Sequence, residues 1–225
     1  MIEKNAAEVL KKIREASQAS RFGGNVSLAA VTKNRDTESM ERLLACGIDI
    51  FAENRVQEML KKYEYFADKV SWHMIGTLQK NKVKQIIDKV SLIQSADSEG
   101  LLEHIDVCSK KISRTTDVLL QVNTAKEPQK HGFFEEDMDD VLRFASELKN
   151  VRVKGIMMIA PDCDNEDILC SIFDKTRKIF EISIEKTLKY DNIEFRILSM
   201  GMTNDYETAV KCGANMVRVG RALFE

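Results

Sequence analysis

The chain has 225 residues, 44% of them apolar and 31% charged, enough for a buried core in one large domain or two small ones and too apolar for a disordered chain. Its 34 lysines and arginines against 36 aspartates and glutamates leave a formal charge of −2, so the basic footprint of a nucleic-acid binder is missing. No apolar run approaches the ~20 residues that span a bilayer, and Met1-Ile2-Glu3-Lys4-Asn5 leads into a charged stretch rather than a secretion signal.

Five cysteines (Cys46, Cys108, Cys163, Cys170, Cys212) are an odd number, widely spread, with no Cys-x-x-Cys. Reduced thiols in a cytoplasmic protein are expected, rather than a disulfide framework or a zinc site. Only Pro128 and Pro161 and no Ser/Gly-rich stretch interrupt the chain, so residues 1–225 are expected to form a single domain.

Taken in order, residues 3–20 form an amphipathic helix, with Ala6, Val9, Ile13 and Ala16 on one stripe. Gly23-Gly24 ends that region. Then come eight short β-rich runs: Ser27–Lys33, Ile48–Glu53, Ser71–Ile75, Leu92–Ser95, Asp117–Asn123, Val153–Ile159, Phe195–Met200 and Met216–Gly220. Helical patterns lie between them, among them Val56, Met59, Leu60, Tyr63, Phe66, then Val83, Ile86, Ile87, Val90, and a long one over residues 167–188. Leu43–Asp49 and Ala209–Asn215 read alike, each a helix end, a glycine for a left-handed cap and the start of a strand.

Eight strands, each but the last followed by a helix, are the count of a (β/α)8 TIM barrel, with the extra N-terminal helix expected over the wall between the last and first strands. An open doubly wound sheet is the runner-up. Against it stand the missing Gly-x-Gly-x-x-Gly after the first strand and the missing Gly-x4-Gly-Lys-Ser/Thr.

In such a barrel the chemistry lies where strands run out into loops. Lys33 ends the first run; a lysine there is commonly a solvated loop residue, but at a barrel mouth it becomes an amine nucleophile for an aldehyde. Arg218 sits between Val217 and Val219, so if the valines pack outward the arginine points inward. A structural ion pair is one explanation; a cation awaiting an acceptor on a ligand is the other. Ser199-Met200-Gly201-Met202-Thr203-Asn204-Asp205 supplies a hydroxyl and a closely approachable backbone N–H for an anion, while Asn204 with Glu207 offers a purely structural capping pair. Gly220 adds a second bare N–H, and barrels often hold phosphate after strands seven and eight. His73, His104 and His131 match no metal-ligand spacing. His73 faces either the barrel or its packed exterior, and His104 is expected at the surface.

A lysine, an inward arginine and a phosphate cradle together describe a barrel for pyridoxal 5′-phosphate (PLP). Ala30–Lys33, Phe51–Glu58 and Trp72–Lys82 resemble successive signatures of the PLP homeostasis protein family, as do Gln121-Val122-Asn123 with Lys130–Phe133, Gly155–Met158, Leu198–Asp205 and Met216–Ala222. The similarity runs in order from about residue 27 to the end. It implies a fold-type III barrel related to the barrel half of bacterial alanine racemases. Lys33 would carry PLP as a Schiff base. Ser199, Gly201, Gly220 and the Arg221 backbone would hold the phosphate, Arg218 would bond the pyridine nitrogen, and Asn54 and Met200 would line the ring site. Many relatives carry threonine where this chain has Arg221.

An arginine beside the pyridine nitrogen donates its own proton, which weakens the ring as an electron sink. In the racemases a tyrosine from a second domain supplies the opposite acid/base group. This chain ends five residues after Gly220, and Tyr63, Tyr65, Tyr190 and Tyr206 fall in or beside helical segments. The resemblance therefore implies a cytoplasmic, monomeric PLP carrier in vitamin B6 homeostasis, without turnover, in transient contact with PLP-dependent apoenzymes. Two other readings stay open: a PLP-dependent amino-acid racemase or decarboxylase, and a cofactor-free barrel serving as an aldolase or a scaffold. Lys130 is the next amine to consider for PLP.

Overall fold

A computed structural model describes every residue except Arg21 and Pro128. Eight strands follow one another as β1 (Ser27–Val31), β2 (Ile50–Glu53), β3 (Ser71–Met74), β4 (Leu92–Ala96), β5 (Thr116–Val122), β6 (Val151–Met158), β7 (Ile193–Ser199) and β8 (Met216–Val219). All neighbours pair in parallel, and β8 returns to β1 through Ser27 opposite Met216, closing the barrel in sequence order. The helices are α1 (Ile2–Ala19), α2 (Thr37–Ala45), α3 (Val56–Phe66), α4 (Lys80–Ile86), α5 (Glu99–Lys111), α6 (Met138–Ser146), α7 (Glu166–Thr187), α8 (Tyr206–Lys211) and α9 (Arg221–Phe224). This is the (β/α)8 TIM barrel expected from the alternation.

Helix α1 buries Ile2, Ala6, Val9, Ile13 and Ala16 and packs on α8, α9 and α2, so it covers the wall between β8 and β1 as its apolar stripe requires. Full burial of each valine or isoleucine stabilises the fold by about 1.5–3 kcal/mol. A single turn, α9, stands where a full eighth helix would otherwise lie. The two similar helix ends behave alike: Gly47 (φ +79°) and Gly213 (φ +100°) both take the left-handed conformation after α2 and α8. Asp36 caps α2 by accepting from the Ser39 N–H at 2.7 Å. Outside β2 and β3, Phe51, Phe66 and Trp72 meet edge to face beneath α3.

Strand alternation also layers the barrel interior. Leu92, Leu119, Met157 and Met216 form one buried apolar cluster, with Ile197 and Ile159 against it. Two residues further along three of these strands come Gln94, Ser199 and Arg218, all buried. The change from apolar to polar in one step up the barrel marks the end that carries chemistry.

Candidate functional site

β1 stops at Val31, so Lys33 lies in the following turn rather than in the strand, exposed at the barrel mouth. It lines a cavity of about 490 Å³ together with Val31, Arg218, Gly220, Arg221, Thr203 and Asp205. That volume lies in the usual range for small-molecule sites, ~300–1,000 Å³. On its other side Lys33 borders a smaller cavity of about 210 Å³ shared with Asn34, Asn54, Arg55 and Glu58. Asn54 thus reaches Lys33 but not the larger cavity. Its backbone is fixed from behind by Gly76, where a Cβ would stand 2.2 Å from the Asn54 carbonyl oxygen.

Val217 and Val219 are fully buried on the outward face, and Arg218 points into the barrel as alternation requires. Its Nη1 donates to Ser199 Oγ at 2.8 Å and its Nη2 to the Met158 carbonyl at 2.6 Å. Among the described residues it makes no ion pair. Burial pulls its pKa down to about 10 against the opposing pull of Asp205, which still leaves it charged at neutral pH. Two hydrogen bonds use a fraction of a guanidinium's five donors. A buried cation with no carboxylate in direct contact, and with Asp205 acting on it only at longer range across the same cavity, suits an acceptor brought by a ligand better than a structural ion pair.

Ser199 itself is fully buried beneath the cavity. Its hydroxyl accepts from Arg218 and donates to Gln94 Oε1 at 2.7 Å. The Gln94 amide nitrogen meets His73 Nδ1 at 2.9 Å and the Met216 sulfur at 3.3 Å. Since Gln94 Oε1 is taken by Ser199, its amide group donates to Nδ1, which places the ring proton on Nε2, toward Ser71 Oγ at 3.4 Å. Burial lowers the His73 pKa to about 4. His73 therefore faces the barrel, and His104 on α5 is half-buried. Gln94 escaped the sequence reading, although an amide two residues after Leu92 in Leu92-Ile93-Gln94-Ser95-Ala96 was the available signal.

The loop after β7 closes on itself: Asp205 Oδ1 accepts from Met202 N at 2.5 Å, and Tyr206 N donates to Met202 O at 2.9 Å. Burial raises the Asp205 pKa, with the Met202 N–H and Arg218 opposing. Met200 is fully buried in the main core rather than at the cavity. Gly201 (φ +93°) has no room for a side chain, since a Cβ would come 2.6 Å from Ala209 Cβ, and its carbonyl accepts from Arg218 N at 3.0 Å. The Asn204–Glu207 capping pair does not form: Asn204 Oδ1 accepts from Arg221 Nη2 at 3.1 Å across the mouth. Gly220 N donates to Thr203 Oγ1 at 3.2 Å. Thr203 was not singled out in the sequence, yet its hydroxyl stands at the rim beside Gly220.

Lys33, Arg218, Gly220 and Arg221 thus share one cavity, Asn54 adjoins it through Lys33, and Ser199, Met200 and Gly201 lie beneath. The Gly220 N–H, expected to be bare, is engaged by Thr203 Oγ1, so the donor set that fits PLP is an exposed amine for the aldehyde, a buried donor for the ring nitrogen, and the Thr203 hydroxyl and Arg221 for the phosphate, with Gly220 adjoining them. Lys130 is engaged elsewhere, donating to the Ala160 carbonyl at 3.0 Å and pairing with Glu127. The five cysteines are free thiols, and no helix among the described residues is long and apolar enough to cross a membrane.

The chain is similar to known proteins over nearly its whole length. Residues 5–225 match the family described as alanine racemase, N-terminal domain. The pyridoxal phosphate homeostasis protein of Aquifex aeolicus is 38% identical over 220 residues, covering 97% of this chain and 95% of its own; that of Pseudomonas aeruginosa is 33% identical over 99% and 94%. The solved structure of PipY from Synechococcus elongatus with PLP bound is 29% identical over the full length of both chains, at a TM-score of 0.85. Alanine racemase from Clostridium difficile, 13% identical at a TM-score of 0.76, covers 98% of this chain and 59% of its own and shares the fold. The chain belongs to the alanine racemase N-terminal domain family and, within it, to the pyridoxal phosphate homeostasis proteins.

Proposed function

We propose that residues 1–225 act as a single PLP-binding barrel domain that holds PLP covalently on Lys33 and serves intracellular PLP homeostasis without catalytic turnover. The observation that carries this is the meeting of an exposed lysine and a buried arginine with no carboxylate in direct contact on one cavity of about 490 Å³. When bound, PLP supplies an aldehyde that condenses with amines and an electron-withdrawing ring. The protein's own part is to place each group. Arg218, oriented by Ser199 and the Met158 carbonyl, donates toward the ring nitrogen. The Arg221 backbone, the Thr203 hydroxyl and the Arg221 guanidinium receive the phosphate, with Gly220 adjoining them and Ser199, Met200 and Gly201 supporting them from below. Asn54, in the smaller cavity on the other side of Lys33, would line the ring site from there.

Absence of turnover is supported by the same set. An arginine at the ring nitrogen does not protonate it, so carbanion stabilisation is weak. None of the four tyrosines lines the cavity; Tyr206 is buried in α8, its pKa raised to about 12. The exposed mouth also suits release to an acceptor, and we assign the protein as a cytoplasmic monomer with transient contacts to PLP-dependent apoenzymes. Titration with PLP followed by visible absorbance tests the carrier, alongside assays for racemisation and decarboxylation of small amino acids. Wild-type protein is expected to take up PLP with a yellow absorbance that Lys33→Ala lacks while retaining weaker binding, with no turnover in either. Turnover that disappears in Lys33→Ala would overturn the carrier in favour of an enzyme.

A further inference from the structure

The Lys33 turn is fastened on both sides by groups that do not themselves reach the cavity. Arg35 N donates to Thr32 O at 3.0 Å, closing a turn in which Asn34 is left-handed at φ +59°. Lys33 is the second residue of that turn. On its N-terminal side, Glu53 at the end of β2 is completely buried. Its Oε1 accepts from Thr32 Oγ1 and from Lys62 Nζ of α3, each at 2.6 Å, and the same Nζ donates to the Thr32 carbonyl at 2.6 Å. On its C-terminal side, Glu58 Oε2 accepts from Asn34 N at 3.1 Å. Among the described residues the Lys33 side chain makes no ion pair.

A buried ion pair is a poor general means of stabilising a fold, because apolar groups of similar volume often do as well. Here the second carboxylate oxygen, Glu53 Oε2, is buried with no hydrogen-bond partner among the described residues, so the pair is not even fully satisfied. What the pair does achieve is local. Two of its three hydrogen bonds end on Thr32, the residue before Lys33. The two strand ends that it ties together carry Lys33 and Asn54, adjacent in sequence to Thr32 and Glu53 respectively.

We propose that Glu53 and Lys62 are positioning residues that hold the Lys33 turn so that its amine faces the cavity. This rests on the reading of Lys33 as the PLP-bearing amine, whose condensation with the aldehyde carbon forms one C=N bond and releases one water. Neither residue is among those lining the cavity, so the effect falls on the covalent step rather than on recognition of ring and phosphate.

The test compares PLP with pyridoxine 5′-phosphate, which has an alcohol in place of the aldehyde and cannot condense with an amine. Affinities of both are measured for wild type, Lys62→Met and Thr32→Val, at a temperature where circular dichroism finds each protein folded. Thr32→Val removes one hydroxyl and keeps the shape, so it serves should Lys62→Met fail to fold. In Lys62→Met the affinity for PLP is expected to fall at least tenfold, and in Thr32→Val about threefold, with pyridoxine 5′-phosphate changed less than twofold in both. Equal losses for the two ligands would mark a merely structural role and overturn the inference. An unchanged ratio in both variants would overturn it alone, whereas a wild type that binds both ligands alike would overturn the reading of Lys33 with it.

Discussion

Acid is expected to attack this barrel through His73. Its imidazole is 4% exposed, and burial holds its pKa at about 4 rather than 6.5. The unfolded chain takes up a proton on this ring below about pH 6.5, while the folded protein refuses it until about pH 4. Stability contributed by the neutral ring is therefore complete above pH 6.5 and lost as pH falls toward 4. At 1.36 kcal/mol per pH unit, the gap between 6.5 and about 4 amounts to roughly 3.4 kcal/mol. The damage reaches the site, because protonated Nδ1 would face the Gln94 amide group that now donates to it at 2.9 Å. Turning that amide away deprives Ser199 of its acceptor, and Ser199 orients Arg218. Urea unfolding of wild type and His73→Asn at several pH values isolates the effect, since asparagine keeps an acceptor near the Nδ1 position and does not titrate. All other titratable groups are common to the two proteins. The stability difference between them should shift in favour of the variant by about 3 kcal/mol between pH 7.5 and pH 4. A difference that stays constant across this range would refute the reasoning, and with it the neutral, buried state of His73.

Ser199→Ala should leave Arg218 Nη1 and Gln94 Oε1 without their partner and cost about 1–3 kcal/mol of stability, read by urea unfolding. PLP affinity should fall with it, through loss of Arg218 orientation. Gly76→Ala places a methyl 2.2 Å from the Asn54 carbonyl oxygen and should cost about 1–3 kcal/mol as overpacking, together with weaker PLP binding as Asn54 is displaced; unchanged stability would mean that the β2 end yields freely. Gly155→Ala should be harsher, because φ is +143° and the added Cβ would lie 2.0 Å from the Ile197 carbonyl oxygen, and thermal unfolding would register a lower midpoint or failure to fold.

The barrel was legible because its signal is repeated. Eight β-rich runs alternating with helical periodicity leave few architectures, and the apolar stripe of Ala6, Val9, Ile13 and Ala16 fits the wall it covers. Arg218 was readable for the same reason: flanking valines fix its face in any strand. What alternation alone did not fix was the partner of each inward group. Ser199 looked like a phosphate ligand because it is a hydroxyl in a loop-like motif, but β7 runs through it and carries it below the cavity. Met200, one residue on, faces the opposite way and joins the core. Thr203 and Asn204 come to the rim because Asp205 folds the loop back, a local side-chain-to-backbone turn that strand and helix periodicity does not reveal. The Glu53–Lys62–Thr32 contact joins the end of β1 to β2 and α3, and two charged residues in helix- and strand-like runs read as solvated until packing brings them together.

The central claim is that Lys33 carries PLP. Purified protein incubated with PLP, reduced with borohydride and digested for peptide mass mapping tests it most directly. A reduced PLP adduct is expected on the peptide containing Lys33, and its loss in Lys33→Ala. An adduct confined to Lys130 or another lysine, or no adduct at all, would contradict it.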